Sequence, residues 1–293
     1  MASCVGRFAP SPTGPLHIGS LYTALASYLD ARANDGRWLV RIEDIDPPRE
    51  IPGAADTILR QLENHGLHWD DSVLYQSQRR AAYQEAVEDL ADKQLVYFCR
   101  CTRTRLRSLN GIYDGHCRHQ KLLTGDSSAT SSSAIRMVVP DKTIAWQDLI
   151  RGSCSENLAK SGGDFIVVRR DGLFAYQLAV SVDDAYQGIT HIIRGDDILD
   201  STPRQIYLLE QLGLAIPAYG HIPVIKNHLG DKLSKQAFAP MLDPTAPGTN
   251  IEQCLTLLGI HLPADLAGAS PEQLLPWAIQ HWGRPKLTGQ SPR

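Results

Sequence analysis

The sequence has no apolar stretch long enough to cross a lipid bilayer, for which about 20 consecutive apolar residues are needed. Its first ten residues, MASCVGRFAP, have neither the basic start nor the hydrophobic run of a secretory signal peptide. No excess of charge of either sign is present, since the formal net charge is -3. We therefore expect a cytoplasmic protein with no membrane partner.

The composition is that of a globular protein. Hydrophobic residues make up 43% of the chain and charged residues 21%, which is enough to bury a core. The 293 residues suffice for one large domain or two ordinary ones. Six cysteines in a cytoplasmic chain favour metal binding or packing over disulfides.

The low net charge argues only weakly against nucleic acid, which a local basic patch can bind. A candidate patch consists of Arg100, Arg103, Arg105 and Arg107, followed by Arg118, His119 and Lys121. An ordinary solvated surface is the alternative for these residues.

The order of elements predicts a parallel α/β sheet. Residues 5–9 form an apolar strand, a helix begins near His17 and ends at Gly36, and residues 38–42 form a second strand. Further helices are predicted at 54–66, 78–94 and 203–213, and further strands at 135–139 and 165–169. Residues 174–188 and 191–193 are expected to return to the core sheet. We expect a mobile loop at 124–133, a small helical part after residue 239 and a disordered tail.

The first motif with chemical content is PSPTGPLHIGS at 10–20. A strand, a Pro/Gly turn and a helix start place backbone N–H groups and His17 at one point, which suits an anion. Gly19 allows a nucleotide to lie close to the backbone. A Pro/Gly turn before a helix is also common without any such function.

The second motif is Lys232-Leu233-Ser234-Lys235, which follows Gly230. Two lysines on such a loop can bind a triphosphate and stabilise the charge on a leaving group. Taken alone, two nearby lysines are more often surface residues.

Together and in this order, the two motifs resemble the HIGH and KMSKS signatures of class I aminoacyl-tRNA synthetases. The segments RFAPSPTG at 7–14, RIEDID at 41–46 and 176–205 are similar to the glutamyl-tRNA synthetases within that class. Ser20 replaces the second histidine of HIGH, while Leu233 and Gln236 replace two residues of KMSKS. Any role for a second histidine is therefore in doubt.

The resemblance implies an α/β fold with a Rossmann-like parallel-sheet catalytic domain. Its two halves would be residues 1–96 and 141–240, interrupted by a zinc-containing insertion with a flexible loop at 97–140. Residues 241–293 would form a short helical region and tail. The chain ends soon after Lys235, so no anticodon-binding domain is expected.

The resemblance also implies the site residues. His17 and Lys235 would act in catalysis, and His17, Gly19, Lys232, Ser234 and Lys235 would bind ATP with its Mg²⁺. L-glutamate would be bound through its side-chain carboxylate by Arg7 and Arg194, and through its α-amino group by Glu43. The remaining lining residues would be Phe8, Ala9, Pro10, Ser11 and Tyr176.

Three cysteines, Cys99, Cys101 and Cys117, have a spacing suited to a tetrahedral structural zinc ion. By chemistry alone, the fourth ligand would be His116 or His119. The spacing is similar to that of the short glutamyl-queuosine tRNA(Asp) synthetases, and this resemblance implies Tyr113 instead. Cys4, Cys154 and Cys254 are expected to be packing residues.

The same resemblance implies ATP-dependent activation of glutamate without tRNA, and its transfer to tRNA(Asp) bearing queuosine. Charging of an ordinary tRNA 3′ end is one alternative. A zinc-stabilised RNA-binding module with a decayed ATP site is a second alternative, which the intact His17, Glu43, Arg194 and Lys235 disfavour. A nucleotidyltransferase for a small molecule is a third, which the glutamate-pocket residues disfavour.

Overall fold

The computed structural model describes residues 4–119, 133–225 and 242–284. Its strands are β1 (Val5–Phe8), β2 (Arg37–Ile42), β3 (Leu74–Tyr75), β4 (Val96–Cys99), β5 (Ala134–Met137), β6 (Thr143–Asp148), β7 (Gly152–Asn157), β8 (Phe165–Val168), β9 (His191–Gly195) and β10 (Ala218–Ile222). Its helices are α1 (Ile18–Ala33), α2 (Ala54–Asn64), α3 (Arg80–Asp92), α4 (Arg103–Arg107), α5 (Leu158–Ser161), α6 (Tyr176–Tyr186), α7 (Thr202–Leu212), α8 (Pro247–Leu257) and α9 (Pro271–Gln280). None of the helices described is both long and apolar enough to cross a membrane.

Parallel strands form the part of the fold that carries the HIGH-like motif. β1 pairs in parallel with β2, and β2 pairs in parallel with β3. β9 and β10 form a second parallel pair. The two units adjoin where the amide of Thr190 donates to the carbonyl of Val5 at 2.9 Å. The predicted parallel α/β architecture is confirmed.

Helix α1 is the centre of the larger core. Leu21, Leu25 and Leu29 recur at helical spacing and are fully buried. After α1 the chain reverses tightly at Gly36, where an added Cβ would lie 2.4 Å from the carbonyl oxygen of Cys4. A glycine is therefore required for β2 to run beside β1.

A separate antiparallel sheet lies beside the cysteine-rich segment. It consists of β4, β5 and β8, with β5 in the middle. The β6–β7 hairpin follows β5 in sequence. The predicted strands at 135–139 and 165–169 are thus present, whereas the division of the chain into four segments stays a prediction.

The prediction that residues 174–188 belong to the sheet is wrong, because most of this segment forms α6. Its β-branched residues Val180 and Val182 favour a strand, but tertiary packing overrides that preference. Leu178 and Ala179 are buried in the core, and Asp183 and Asp184 are buried beside them. In the helix, Asp184 contacts Arg7 and Arg41, and Asp183 contacts Arg79.

The C-terminal part is helical, as predicted. Helices α8 and α9 pack on each other and on α1. The last described residue, Arg284, forms an ion pair with the buried Asp30 of α1. The predicted mobile loop, apart from Ser133, and most of the predicted tail lie outside the described residues.

Candidate active site and cysteine cluster

A cavity of about 480 Å³ opens at the carboxyl ends of β1, β2 and β9. Ligands bind at this edge of open parallel sheets because the connecting loops diverge there. The cavity brings together every predicted glutamate residue and both described ATP residues: Arg7, Phe8, Ala9, Pro10, Ser11, His17, Gly19, Glu43, Tyr176 and Arg194. Lys232, Ser234 and Lys235 lie outside the described residues.

His17 caps the N-terminus of α1. Its Nδ1 accepts hydrogen bonds from the amides of Gly19 and Ser20 at 3.1 and 3.3 Å. Ser20 completes the cap by accepting from the amide of His17. Ser20, which replaces a histidine of the HIGH signature, therefore has a structural role. Because Nδ1 accepts, the imidazole proton resides on Nε2, which makes Nε2 a hydrogen-bond donor.

Arg7 lies in one wall of the cavity, where a network of buried charges surrounds it. Its guanidinium donates two hydrogen bonds to Asp184, both of 3.2 Å. Arg41 also donates to Asp184, at 2.7 Å, and to Glu43, at 3.3 Å. Burial alone would raise the pKa of Asp184, but Arg41 and Arg7 hold it below its usual range. The charges of Arg7 and Arg41 are thus balanced by two carboxylates of the protein, those of Asp184 and Glu43.

Glu43 and Tyr176 complete this wall. Burial raises the pKa of the Glu43 carboxyl, and Arg41 and Arg7 only partly oppose it. Burial also raises the pKa of the Tyr176 phenol. A cation placed beside Glu43 would stabilise its charged form.

Arg194 also lines the cavity, from β9, and has different partners. Its guanidinium donates to His221 Nε2 at 3.0 Å, to Gln205 Oε1 at 2.8 Å and to Thr202 Oγ1 at 2.7 Å. The side chain of Arg194 is buried and forms no ion pair among the described residues. All three partners are neutral, so the positive charge of Arg194 is available to a carboxylate in the cavity.

His221 is in turn fixed by Asp148, and both side chains are fully buried. Asp148 Oδ2 accepts from His221 Nδ1 at 2.5 Å, while Oδ1 accepts from the amides of Ile150, Arg151 and His221. The proton of His221 is thereby on Nδ1, and Nε2 is left to accept from Arg194. Burial lowers the pKa of His221 more than Asp148 raises it, which keeps the imidazole neutral.

Sequence reasoning missed Asp148, His221 and Asp184 as parts of the site. A weak signal existed for His221, a polar residue inside the strand-like run AYGHIPVI. Asp148 ends a hairpin strand with no motif around it. Its contact with His221 spans 73 residues and depends on the tertiary fold.

The cysteine cluster begins at the end of β4, whose last residue is Cys99. The sulfur atoms of Cys99, Cys101 and Cys117 are buried and lie within 4.8 Å of one another. Tyr113 Oη is 3.5 Å from both Cys99 Sγ and Cys101 Sγ. A tetrahedral site with zinc–sulfur bonds of about 2.3 Å has sulfur atoms ~3.8 Å apart and oxygen–sulfur distances of ~3.5 Å. These four groups therefore fit around one metal ion.

Basic groups surround the cluster. Arg136 Nε donates to Cys99 Sγ at 3.3 Å, and its guanidinium lies 3.9 Å from the centre of the Tyr113 ring. Burial raises the pKa of the Tyr113 hydroxyl, so a phenolate there requires a nearby cation. His116 and His119, the alternative ligands, are exposed and do not belong to the cluster.

The predicted basic patch is divided by the fold. Arg105 pairs with Asp114 at 2.6 Å, and Arg118 pairs with Asp164 at 2.7 Å. Arg103 and Arg107 of α4 are exposed. Part of the patch therefore stabilises the cysteine-rich segment, which the charge run alone did not indicate.

The family described as tRNA synthetases class I (E and Q), catalytic domain, matches residues 3–246. The chain therefore belongs to this family of class I synthetase catalytic domains, and it is a ligase. Its fold also matches a solved glutamate–tRNA synthetase from Elizabethkingia anophelis, with a TM-score of 0.78 and 27% identity over 99% of this chain and 68% of that one. A glutamate–tRNA ligase from Elizabethkingia meningosepticum, solved with its amino acid, matches with a TM-score of 0.77 and 26% identity over 99% of this chain and 67% of that one.

Relatives of similar length share about half of the sequence. One named glutamyl-Q tRNA(Asp) synthetase, from Thiobacillus denitrificans, is 54% identical over 96% of this chain and 94% of its own length. Another with this name, from Cronobacter sakazakii, is 51% identical over 95% of this chain and 91% of its own. The resemblance expected from the motifs is confirmed at the level of family and fold.

Proposed function

We propose that this protein activates L-glutamate with ATP in the absence of tRNA and transfers it to queuosine in the anticodon of tRNA(Asp). The observation that carries the amino-acid assignment is Arg194, a buried arginine with only neutral partners among the described residues. A guanidinium binds a planar carboxylate through two parallel hydrogen bonds. Glu43, which lines the same cavity, would bind the α-amino group. The choice of tRNA(Asp) and queuosine as acceptor is supported by the relatives named glutamyl-Q tRNA(Asp) synthetase.

In the first half-reaction, an oxygen of the α-carboxylate of glutamate attacks the α-phosphorus of ATP. A new oxygen–phosphorus bond forms, and pyrophosphate leaves with the electrons of the bond that breaks. The Nε2–H of His17 and the backbone near Gly19 would hold the phosphates, since a helix N-terminus favours an anion. Lys235 would stabilise the negative charge that builds up in the transition state, together with Lys232, Ser234 and the Mg²⁺ bound to ATP.

In the second half-reaction, a hydroxyl of the cyclopentene-diol of queuosine attacks the acyl carbon of the adenylate. An ester bond forms, AMP leaves with the electron pair of the broken bond, and the hydroxyl proton passes to solvent. A base in an anticodon loop can be turned outward and bound by stacking and hydrogen bonds.

We also propose that Cys99, Cys101, Tyr113 and Cys117 hold one structural zinc ion. Bound zinc would supply the positive charge that three thiolates and a phenolate require. The donations from Arg136 and Arg105 to the cluster sulfurs would offset the remaining negative charge. The cluster would shape the cysteine-rich segment rather than take part in activation.

The activation half is tested by ATP–pyrophosphate exchange with glutamate and no tRNA. We expect exchange from the protein alone, and a rate about 10² lower in His17→Ala and in Lys235→Ala, because each loses a contact to the transition state. Lys142→Ala, which removes an exposed lysine, is the control. Exchange that appears only after tRNA is added would contradict tRNA-independent activation.

The acceptor is tested with radiolabelled glutamate and three forms of tRNA(Asp). We expect labelling of the queuosine-containing tRNA, including the form trimmed of its 3′-terminal adenosine. The unmodified transcript should stay unlabelled. Labelling that disappears on trimming would mean that the protein charges an ordinary 3′ end.

Elemental analysis of protein purified without added metal tests the zinc proposal. We expect one zinc per chain, and faster loss to a chelator in Tyr113→Phe, because that variant removes the phenolate ligand. Tyr186→Phe, at an exposed tyrosine, is the control. Equal retention of zinc in both variants would exclude Tyr113 as a ligand.

A further inference from the structure

A second cavity, of about 380 Å³, adjoins the first. The two cavities share four lining residues: Ser11, Thr13, Glu43 and Tyr176. The far side of the second cavity is formed by the segment after β2, including Asp46 and Glu50, and by Arg169. A molecule in this cavity would therefore lie against the residues that we assign to the amino acid.

The carboxylates of the far side are not equivalent. Asp46 accepts from Arg49 at 2.5 Å and from Arg169 at 3.1 Å, so its charge is neutralised within the protein. Glu50 forms no ion pair among the described residues. Its side chain is half-buried and receives a backbone hydrogen bond from Asp46, but Oε1 has no hydrogen-bond partner in the described part of the chain.

An unpaired buried carboxylate oxygen costs free energy unless a donor reaches it. Burial raises the pKa of Glu50, and the charges of Asp44 and Asp46 raise it further. A cation held against the Glu50 carboxylate would oppose the effects of burial and of the two neighbouring carboxylates. The backbone holds this segment in place, since the amide of Ile51 donates to the carbonyl of Pro12 at 2.9 Å.

We propose that the second cavity receives the nucleoside that accepts glutamate, and that Glu50 binds a protonated amine of that nucleoside. The inference rests on the proposed function and makes it more specific. Queuosine carries a secondary amine between its base and its cyclopentene-diol, and such an amine is protonated at neutral pH. The 3′-terminal adenosine of a tRNA carries no cation.

The arrangement also brings the nucleophile close to the adenylate. The diol and the amine belong to the same short side chain of queuosine. An amine held at Glu50 would place the diol near the wall that the two cavities share, which includes Ser11 and Thr13. Such positioning turns an encounter of two molecules into a reaction within one complex.

The test compares transfer with activation in Glu50→Gln, which removes the charge and keeps the shape. Loss of one charged hydrogen bond corresponds to about 10-fold or more in kcat/KM. We therefore expect the ratio of transfer to queuosine-containing tRNA(Asp) over ATP–pyrophosphate exchange to fall at least about 10-fold. Glu50→Asp should recover part of the loss, and Glu85→Gln, on the exposed face of α3, should leave the ratio as it is.

Three results would overturn the inference. An unchanged ratio in Glu50→Gln would show that no cation is bound there. A parallel loss of transfer and exchange would place Glu50 in the chemistry of ATP instead. Wild-type protein that performs exchange but labels only the 3′-terminal ribose would refute the proposed acceptor, and this result is recognised before any Glu50 variant is made.

Discussion

Two arginines face the same cavity, and their surroundings differ. Arg7, at the end of β1, donates two hydrogen bonds to the buried Asp184. Arg194, in β9, donates to a histidine, a glutamine and a threonine. The charge of Arg7 is thus balanced by a carboxylate of the protein, whereas the hydrogen-bond partners of Arg194 are neutral.

The comparison shows that the hydrogen-bond partners of a buried arginine indicate whether it contributes to stability or binds a ligand. A buried arginine that is paired with a carboxylate is needed for stability, because removal of either side chain leaves the other as an unpaired buried charge. Neutral partners position the guanidinium and leave its charge for a ligand. We therefore expect Arg194 to dominate affinity for glutamate and Arg7 to dominate stability.

The largest expected effect is that of Arg194→Gln. Loss of a buried charged contact to the substrate costs about 4 kcal/mol, or a factor of about 10³. We expect kcat/KM for glutamate in ATP–pyrophosphate exchange to fall by that factor, with little change in thermal stability. If the variant were unfolded, Arg194 would be a structural residue like Arg7. If its kinetics were normal, Arg194 would not bind glutamate.

Arg7→Leu should affect stability before activity. Asp184 would keep only Arg41 as a partner, which we expect to lower the free energy of unfolding by about 3 kcal/mol. Urea denaturation followed by circular dichroism measures the change. Stability within error of the wild type would mean that Arg7, like Arg194, is kept for the ligand.

Asp148→Asn should weaken the support of Arg194 without touching the substrate. Three backbone amides donate to Asp148 Oδ1, so the asparagine carbonyl stays there and its NH₂ faces His221 Nδ1. The imidazole proton must then move to Nε2, and Arg194 Nε loses its acceptor. We expect KM for glutamate to rise about 10-fold with kcat less affected. Asp35→Asn, at an exposed turn, is the control; equal KM values in the two variants would exclude this role.

The smallest expected effect is a pH dependence. The pKa of His221 is lowered, so the neutral form that supports Arg194 is present above about pH 6.5 and is lost as pH falls through the lowered value. Glutarate, which has no α-amino group, separates this effect from protonation of Glu43 once its inhibition constant is expressed for the dianion, since the glutarate carboxylates themselves begin to protonate below about pH 6. Its inhibition constant should be constant from about pH 8 to 7 and should rise a few-fold at lower pH. The nearby Asp148 stays charged over this range because its pKa is lowered. A flat profile down to pH 5 would show that protonation of His221 does not reach the site.

The sequence by itself determined the family, the parallel core and ten of the residues that line the cavity. Local signals sufficed there: apolar strands, the turn at 10–16, the helix from Ile18 and motifs that remain contiguous in the chain. Cysteine spacing predicted the cluster for the same reason, since its three cysteines and Tyr113 lie within 19 residues.

Only the tertiary structure decided which charges are neutralised. The contacts of Arg7 with Asp184 and of Asp148 with His221 span 177 and 73 residues, and no local pattern encodes them. The helix α6 was missed because its β-branched residues favour a strand, whereas in the folded protein its Asp183 and Asp184 are buried against arginines that are distant in the sequence. Local propensity is set by neighbours in sequence, but the function of a buried charge is set by its neighbours in space.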